Sequence, residues 1–221
     1  MNELIDFSMM GLILLNLVLL GATRLIHSVR LVAIQGLLLG LLPLWGIADA
    51  ETSLQVRLYA ISLATLTVKC GLFPWMMRRI IREGPTHREV KPSIALPTAL
   101  LTGIIALALA FWISHKLILP NPRLADTLII PAGFFGIFTG LLLIVTRRTA
   151  LSQVIGYVAL ENGIYAVGVV FAHDAPLLIE LGILLDVFVA VFVMGVTVFH
   201  INRDFDHMDT DRMTELRDSP P

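Results

Sequence analysis

The chain has 221 residues, of which 57% are hydrophobic and 15% are charged, with a mean hydropathy of +0.84 and a formal net charge of -1. Soluble domains carry about a quarter charged residues, so the composition excludes a soluble domain and indicates an integral membrane protein. The balanced charge identifies no partner, and we expect none among nucleic acids.

Long apolar stretches recur along the whole chain, each near the length of about 20 residues that crosses a hydrocarbon core of ~30 Å. A transmembrane barrel would show alternating segments of about ten residues instead. We therefore predict an all-α integral membrane protein with seven transmembrane helices, called spans one to seven: Leu4–Ala22, Leu31–Ala48, Leu58–Met77, Ala95–Ser114, Leu128–Thr146, Leu151–Ala172 and Pro176–His200.

Positive charge is distributed unevenly between the two ends of these spans. Of the 16 Lys and Arg residues, twelve follow odd-numbered spans, three follow even-numbered ones, and Lys69 lies inside span three. Because cytoplasmic loops carry the excess of Lys and Arg, we predict the N-terminus outside and the C-terminus in the cytoplasm.

The chain divides at a basic, proline-containing loop, Arg78–Pro92. Residues 1–92 hold spans one to three with this loop, residues 93–127 hold span four and an outer loop, and residues 128–200 hold spans five to seven. The acidic tail, residues 201–221, either docks on a cytoplasmic partner or is a solvated end.

Two Gly pairs, Gly36/Gly40 and Gly136/Gly140, have the spacing that lets helices in a membrane pack closely, and we expect these contacts inside one subunit. Asn16 in span one and Gln35 in span two are expected to form hydrogen bonds between helices for the same reason.

Three ionisable side chains lie deep inside the spans: Lys69, Glu161 and Asp186. A charge in hydrocarbon costs at least about 2.5 to 3.5 kcal/mol, which makes such residues functional candidates. At 1.5 Å per residue, all three lie about 15 Å deep, so we expect them in one layer near the membrane midplane. The same layer is predicted to include polar neighbours on spans three and six: Ser62, Thr65, Gln153, Tyr157, Asn162 and Tyr165.

This pattern predicts a proton relay, because burial raises the pKa of carboxyls and lowers that of lysines toward values at which they exchange protons. Glu180, one turn inside the outer end of span seven, is a candidate entry or exit group. The alternative is a static salt bridge, or neutral carboxyls hydrogen-bonded to tyrosine and asparagine.

No cofactor, metal or catalytic residue is expected in this chain. A lone cysteine, Cys70, cannot hold an iron–sulfur cluster, which needs several thiolates. The six histidines fall at helix ends or in loops, which argues against haem.

Residues 128–218 resemble the three-helix K-type membrane subunit of respiratory complex I. The resemblance rests on the pair Arg147-Arg148, the motif Gly156-Tyr-Val-Ala-Leu-Glu161, an acid in the last span and the acidic tail. The whole chain resembles component E of hydrogenase-4 and related formate hydrogenlyase systems through Gln153–Gly163 and Ala175–Gly182.

The resemblance implies a non-catalytic subunit of a complex-I-like, membrane-bound nickel–iron hydrogenase in the cytoplasmic (inner) membrane of a prokaryote. It implies antiporter-like and linker subunits and a cytoplasmic hydrogenase arm as partners, which would hold the nickel–iron centre and the iron–sulfur clusters. Glu161 matches the first proton-path glutamate of the K-type subunit, whereas Asp186 is shorter than the second by one methylene.

Other functions remain open at this point. One is a subunit of a multi-subunit cation/proton antiporter, and another is a structural membrane anchor without transport. A retinal protein is disfavoured, because its Schiff-base lysine would be expected in span seven and Pro176–His200 contains none.

Overall fold

The computed structural model describes residues 2–44, 52–83, 95–117 and 127–171. Helices account for the regular structure in this part of the chain, which confirms the all-α prediction. In chain order they are α1 (Asn2–Gly21), α2 (Leu25–Leu41), α3 (Thr52–Leu66), a π-helix (Thr67–Leu72), α4 (Phe73–Glu83), α5 (Leu96–Lys116), α6 (Ile129–Thr146) and α7 (Ala150–Phe171).

Among the described helices, α1, α2, α5, α6 and α7 are long and apolar enough to cross a membrane. They correspond to predicted spans one, two, four, five and six. Span three corresponds to α3, the π-helix and α4, which follow one another without a break from residue 52 to residue 83. Span seven, with Glu180 and Asp186, and the acidic tail lie outside the described residues, so the number of spans and their orientation stay predictions.

The most extensive helix packing joins α6 to the antiparallel α7, and glycines on both helices make it possible. A methyl group on Gly163 would lie 2.5 Å from the backbone nitrogen of Ile137, and one on Gly140 would overlap the backbone of Leu160. The Gly136/Gly140 pair therefore packs helices within one chain, as predicted.

A second close contact brings the end of α3 and the π-helix against α2. A methyl group on Gly36 would lie 2.6 Å from Cβ of Lys69, and one on Gly40 would lie 2.7 Å from a methyl of Leu66. The hydroxyl of Ser62 also donates a hydrogen bond to the Gly40 carbonyl. Since only glycine leaves this space, the Gly36/Gly40 pair sets how closely Lys69 approaches α2.

Polar contacts at both ends hold α1 parallel to α6. At one end the backbone N–H of Leu128 donates to the Asp6 carboxylate over 2.8 Å. At the other, the Arg147 guanidinium donates to the carbonyls of Leu20 (3.1 Å) and Ala22 (3.2 Å), which satisfies backbone groups left free at the end of α1. Burial lowers the pKa of Arg147 from its ordinary value.

The described helices bury two apolar clusters, one near each end of the bundle. The arginine-end cluster, close to Arg147, is built around Leu20, Val29, Val32, Met77, Ile155 and Ala159. The aspartate-end cluster, close to Asp6, is built around Met9, Leu12, Leu39, Ile130, Tyr165 and Ala166. The middle of the bundle between them contains polar side chains.

Candidate functional site

Five buried polar residues from four helical elements meet between the two apolar clusters. No more than 5% of any of them is exposed. We call them the polar layer: Asn16 of α1, Gln35 of α2, Lys69 of the π-helix, and Glu161 and Asn162 of α7.

An ion pair lies at one side of the polar layer. The Lys69 Nζ is 2.9 Å from Oε1 of Glu161, and it also donates to Oδ1 of Asn162 over 2.8 Å. Because both charges are buried, removing Lys69 would leave the Glu161 carboxylate without this cation in a medium of low dielectric. The predicted proximity of Lys69 and Glu161 agrees with this geometry.

Side-chain amides continue the layer from Asn162 to α1. Nδ2 of Asn162 donates to Oε1 of Gln35 over 3.3 Å, and Nε2 of Gln35 donates to Oδ1 of Asn16 over 3.1 Å. Nδ2 of Asn16 then donates to the backbone carbonyl of Leu12, one turn back along α1, over 3.1 Å. Both residues thus form hydrogen bonds between helices, as predicted, and these bonds belong to the same network as the ion pair.

Tyr165 lies against Lys69 on the aspartate-end side of the ion pair. The Lys69 Nζ is 5.2 Å from the centre of its ring, a distance at which an ammonium is attracted by the ring face. The hydroxyls of Tyr165 and Thr65 are buried next to each other, and neither makes a hydrogen bond of regular geometry among the described residues. These are positions where a buried water would find polar partners.

The predicted stripe along α7 divides at Glu161. Tyr165 joins the ion pair, but Tyr157 is half-buried against the arginine-end cluster, and Gln153 is exposed and donates to the Arg147 carbonyl. An α-helix turns about 100° per residue, so each step of four residues rotates the side chain about 40° further. Gln153 lies two such steps from Glu161, so its side chain does not point toward the polar layer. Asp186 and Glu180 lie outside the described residues.

Asn16 and Gln35 were expected to form hydrogen bonds between helices, but not to join the site. Span two was predicted to begin at Leu31, which places Gln35 about 6 Å deep, whereas α2 begins at Leu25 and places it about 15 Å deep. Depth measured from the true helix start would have put Gln35 in the layer.

The site contains side chains that can exchange protons. Lys69, Glu161 and Tyr165 can each gain or lose one, whereas the amides of the layer keep theirs at neutral pH. Among the residues that the structure describes, no three His, Cys, Asp or Glu side chains converge as metal ligands would.

Comparison with known proteins places the chain in a family. Hydrogenase-4 component E of Escherichia coli (strain K12) is 35% identical over 157 residues, which cover 71% of this chain and 72% of that protein. An uncharacterized protein of Mycobacterium tuberculosis is 33% identical over 217 residues, 97% of this chain and 96% of its own length. No family model and no solved structure matches, and the resemblance of residues 128–218 to the K-type subunit stays a prediction. The chain belongs to the hydrogenase-4 component E family.

Proposed function

We propose that the chain is a non-catalytic membrane-arm subunit of a complex-I-like nickel–iron hydrogenase, and that its Lys69–Glu161 pair transfers protons within the membrane arm. The family membership and the apolar helices support a membrane subunit of such a complex. The redox chemistry would take place in a peripheral arm, on a nickel–iron centre and iron–sulfur clusters held by partner subunits.

The observation that carries the proposal is the fully buried contact of 2.9 Å between the Lys69 ammonium and the Glu161 carboxylate. A buried pair of this kind adds little stability relative to apolar side chains of the same volume, so packing alone gives no reason to keep it. At hydrogen-bond distance one proton can move between the two groups, which converts the ion pair into a neutral amine and a carboxylic acid. Such a site can store a proton and release it.

We propose that protons reach and leave this pair parallel to the membrane plane. The two apolar clusters lie on opposite sides of the polar layer, whereas Lys69 and Glu161 lie side by side within it, and Tyr165 lies next to them at the edge of the aspartate-end cluster. Water bound at the Tyr165 and Thr65 hydroxyls would extend the path, with Asp186 and Glu180 as further acids. Neighbouring antiporter-like and linker subunits would supply the continuation on both sides.

The substitution Glu161→Gln tests the proposal, because glutamine keeps the shape of the side chain and its acceptor oxygen but takes up no proton. We expect the complex to assemble and turn over hydrogen while proton translocation into membrane vesicles is lost. Glu3→Gln, at an exposed carboxylate near the start of α1, is the matched control and should leave translocation unchanged.

Translocation at the wild-type ratio of protons to hydrogen in the Glu161→Gln complex would overturn the proposal. The purification that this experiment needs also tests the partners. The complex extracted in mild detergent should contain nickel and iron, and a complex of antiporter-like subunits without either metal would favour the cation/proton antiporter instead.

A further inference from the structure

The three amides of the polar layer all point the same way. Asn162, Gln35 and Asn16 each turn the oxygen toward Lys69 and donate from the nitrogen away from it. The hydrogen-bond partners at both ends of this row of amides require this orientation. The Leu12 carbonyl can only accept, so Asn16 must present its nitrogen there, and an ammonium can only donate, so Asn162 must present its oxygen to Lys69.

A chain of amides in one direction acts on the charge at its end. Hydrogen bonds from an ammonium are stronger than those from a neutral amine. In a buried site of low dielectric, successive hydrogen bonds also polarise one another, so the dipoles of Gln35 and Asn16 strengthen the acceptor oxygen of Asn162. Both effects favour the charged form of Lys69, and through it the carboxylate form of Glu161.

We infer that Asn162, Gln35 and Asn16 are positioning residues that hold the Lys69–Glu161 pair in its ionic state at rest. A proton then moves from Lys69 to Glu161 only when something else disturbs the pair. The amides neither gain nor lose a proton at neutral pH. The row of amides therefore stabilises the charge of Lys69, and proton transfer does not continue through it toward α1. Its role in transport rests on the proposed function, whereas its effect on the charge state does not.

The lysines of the chain make the charge state measurable. The whole sequence contains Lys69, Lys91 and Lys116, so the double substitution Lys91→Arg/Lys116→Arg leaves Lys69 as the only lysine. The side-chain nitrogen of lysine is isotope-labelled, and the full chain is studied in bilayers at neutral pH by solid-state NMR. The nitrogen signal of an ammonium differs from that of a neutral amine. We expect an ammonium signal for Lys69 in this background.

Gln35→Leu interrupts the row of amides in its middle while keeping a buried side chain of similar size. We expect the ammonium signal to be largely replaced by that of a neutral amine. The matched control is Ser28→Ala on the same helix, since Ser28 is also buried but donates to the Arg24 carbonyl outside the chain. It should keep the ammonium signal. Tyr165 and Cys70, the titratable neighbours of Lys69, are unchanged in both variants.

Exchanging the two amides, Asn16→Gln with Gln35→Asn, keeps the combined length of the row of amides. This variant should show the ammonium signal that Gln35→Leu loses. Asn16→Leu interrupts the row of amides at the end far from Lys69 and should also lose the ammonium signal. This variant provides the test if Gln35→Leu does not fold. An ammonium signal of full intensity in a folded Gln35→Leu or Asn16→Leu chain would overturn the inference. Normal proton translocation in Glu161→Gln would instead remove the proposed function and leave this result unaffected.

Discussion

At the residue scale, Lys69 is tolerated in the middle of the bundle because several different groups surround it. Glu161 supplies the opposite charge, Asn162 an amide oxygen and Tyr165 a ring face. The close approach of α2 at Gly36 fixes where the lysine side chain begins. The stability of the charge therefore depends on its neighbours and not on solvent.

The substitution Lys69→Met should lower the free energy of unfolding by about 3 to 5 kcal/mol, because it leaves the Glu161 carboxylate buried without its partner. Adding Glu161→Gln in the same chain should recover more than half of this loss, since both charges are then gone. The measurement is the loss of helical circular dichroism as denaturant is added to the purified chain in detergent.

Lys116→Met is the matched control for Lys69→Met. Lys116 is exposed and lies 4.5 Å from the centre of the Trp112 ring, so its removal should cost no more than about 1 kcal/mol. A double variant as unstable as Lys69→Met alone would contradict the assignment of Glu161 as the charge that Lys69 compensates.

The charged members of the site could be predicted from the sequence, and the amides could not. Lys69 and Glu161 stand out because charge is rare inside apolar spans. Gln35 did not stand out in the sequence, because Arg30 and His27 made the first turns of α2 resemble a loop. Arg30 extends from the helix as an exposed side chain, so the apolar pattern begins after Arg30 although the helix itself begins at Leu25.

At the scale of elements, the π-helix Thr67–Leu72 was not predicted, although the helix containing it was. Hydropathy follows the average period of a helix and does not detect a short segment with wider turns. The segment carries Lys69, so it decides which way the lysine points. α3 and α4 have 15 and 11 residues, which are too few to cross a membrane separately.

The α6–α7 packing gives a prediction for two glycines. Gly140→Ala would place a methyl group against the backbone of Leu160, the residue before Glu161, and backbone cannot move aside as a side chain can. We expect a loss of about 1 to 3 kcal/mol of stability, as for other overpacked contacts, measured by denaturant unfolding.

Gly168→Ala on α7 is the matched control, because no described residue lies within 4 Å of the added methyl group. Alanine is favoured over glycine inside a helix by up to about 1 kcal/mol, so this variant should be as stable as the wild type or more stable. Equal losses of stability for both variants would show that close packing at Gly140 is not the cause.

At the scale of the whole molecule, paired tryptophan and cationic side chains lie near opposite ends of the bundle. Arg79 lies 5.7 Å from the ring centre of Trp75 on α4, and Lys116 lies beside Trp112 near the end of α5. Tryptophan concentrates at membrane–water interfaces, and lysine and arginine extend to the same level. Both pairs agree with a bilayer placed across the bundle and with the polar layer near its midplane.

The unequal distribution of positive charge predicts which end of the bundle faces the cytoplasm. Arg148, exposed just after α6, lies at the basic end, and Lys116, exposed at the end of α5, lies at the other. In a Cys70→Ala background, which has no other cysteine, a membrane-impermeant maleimide added to intact cells should label Lys116→Cys. Arg148→Cys should react only after the membrane is permeabilised. The reverse pattern would overturn the predicted orientation.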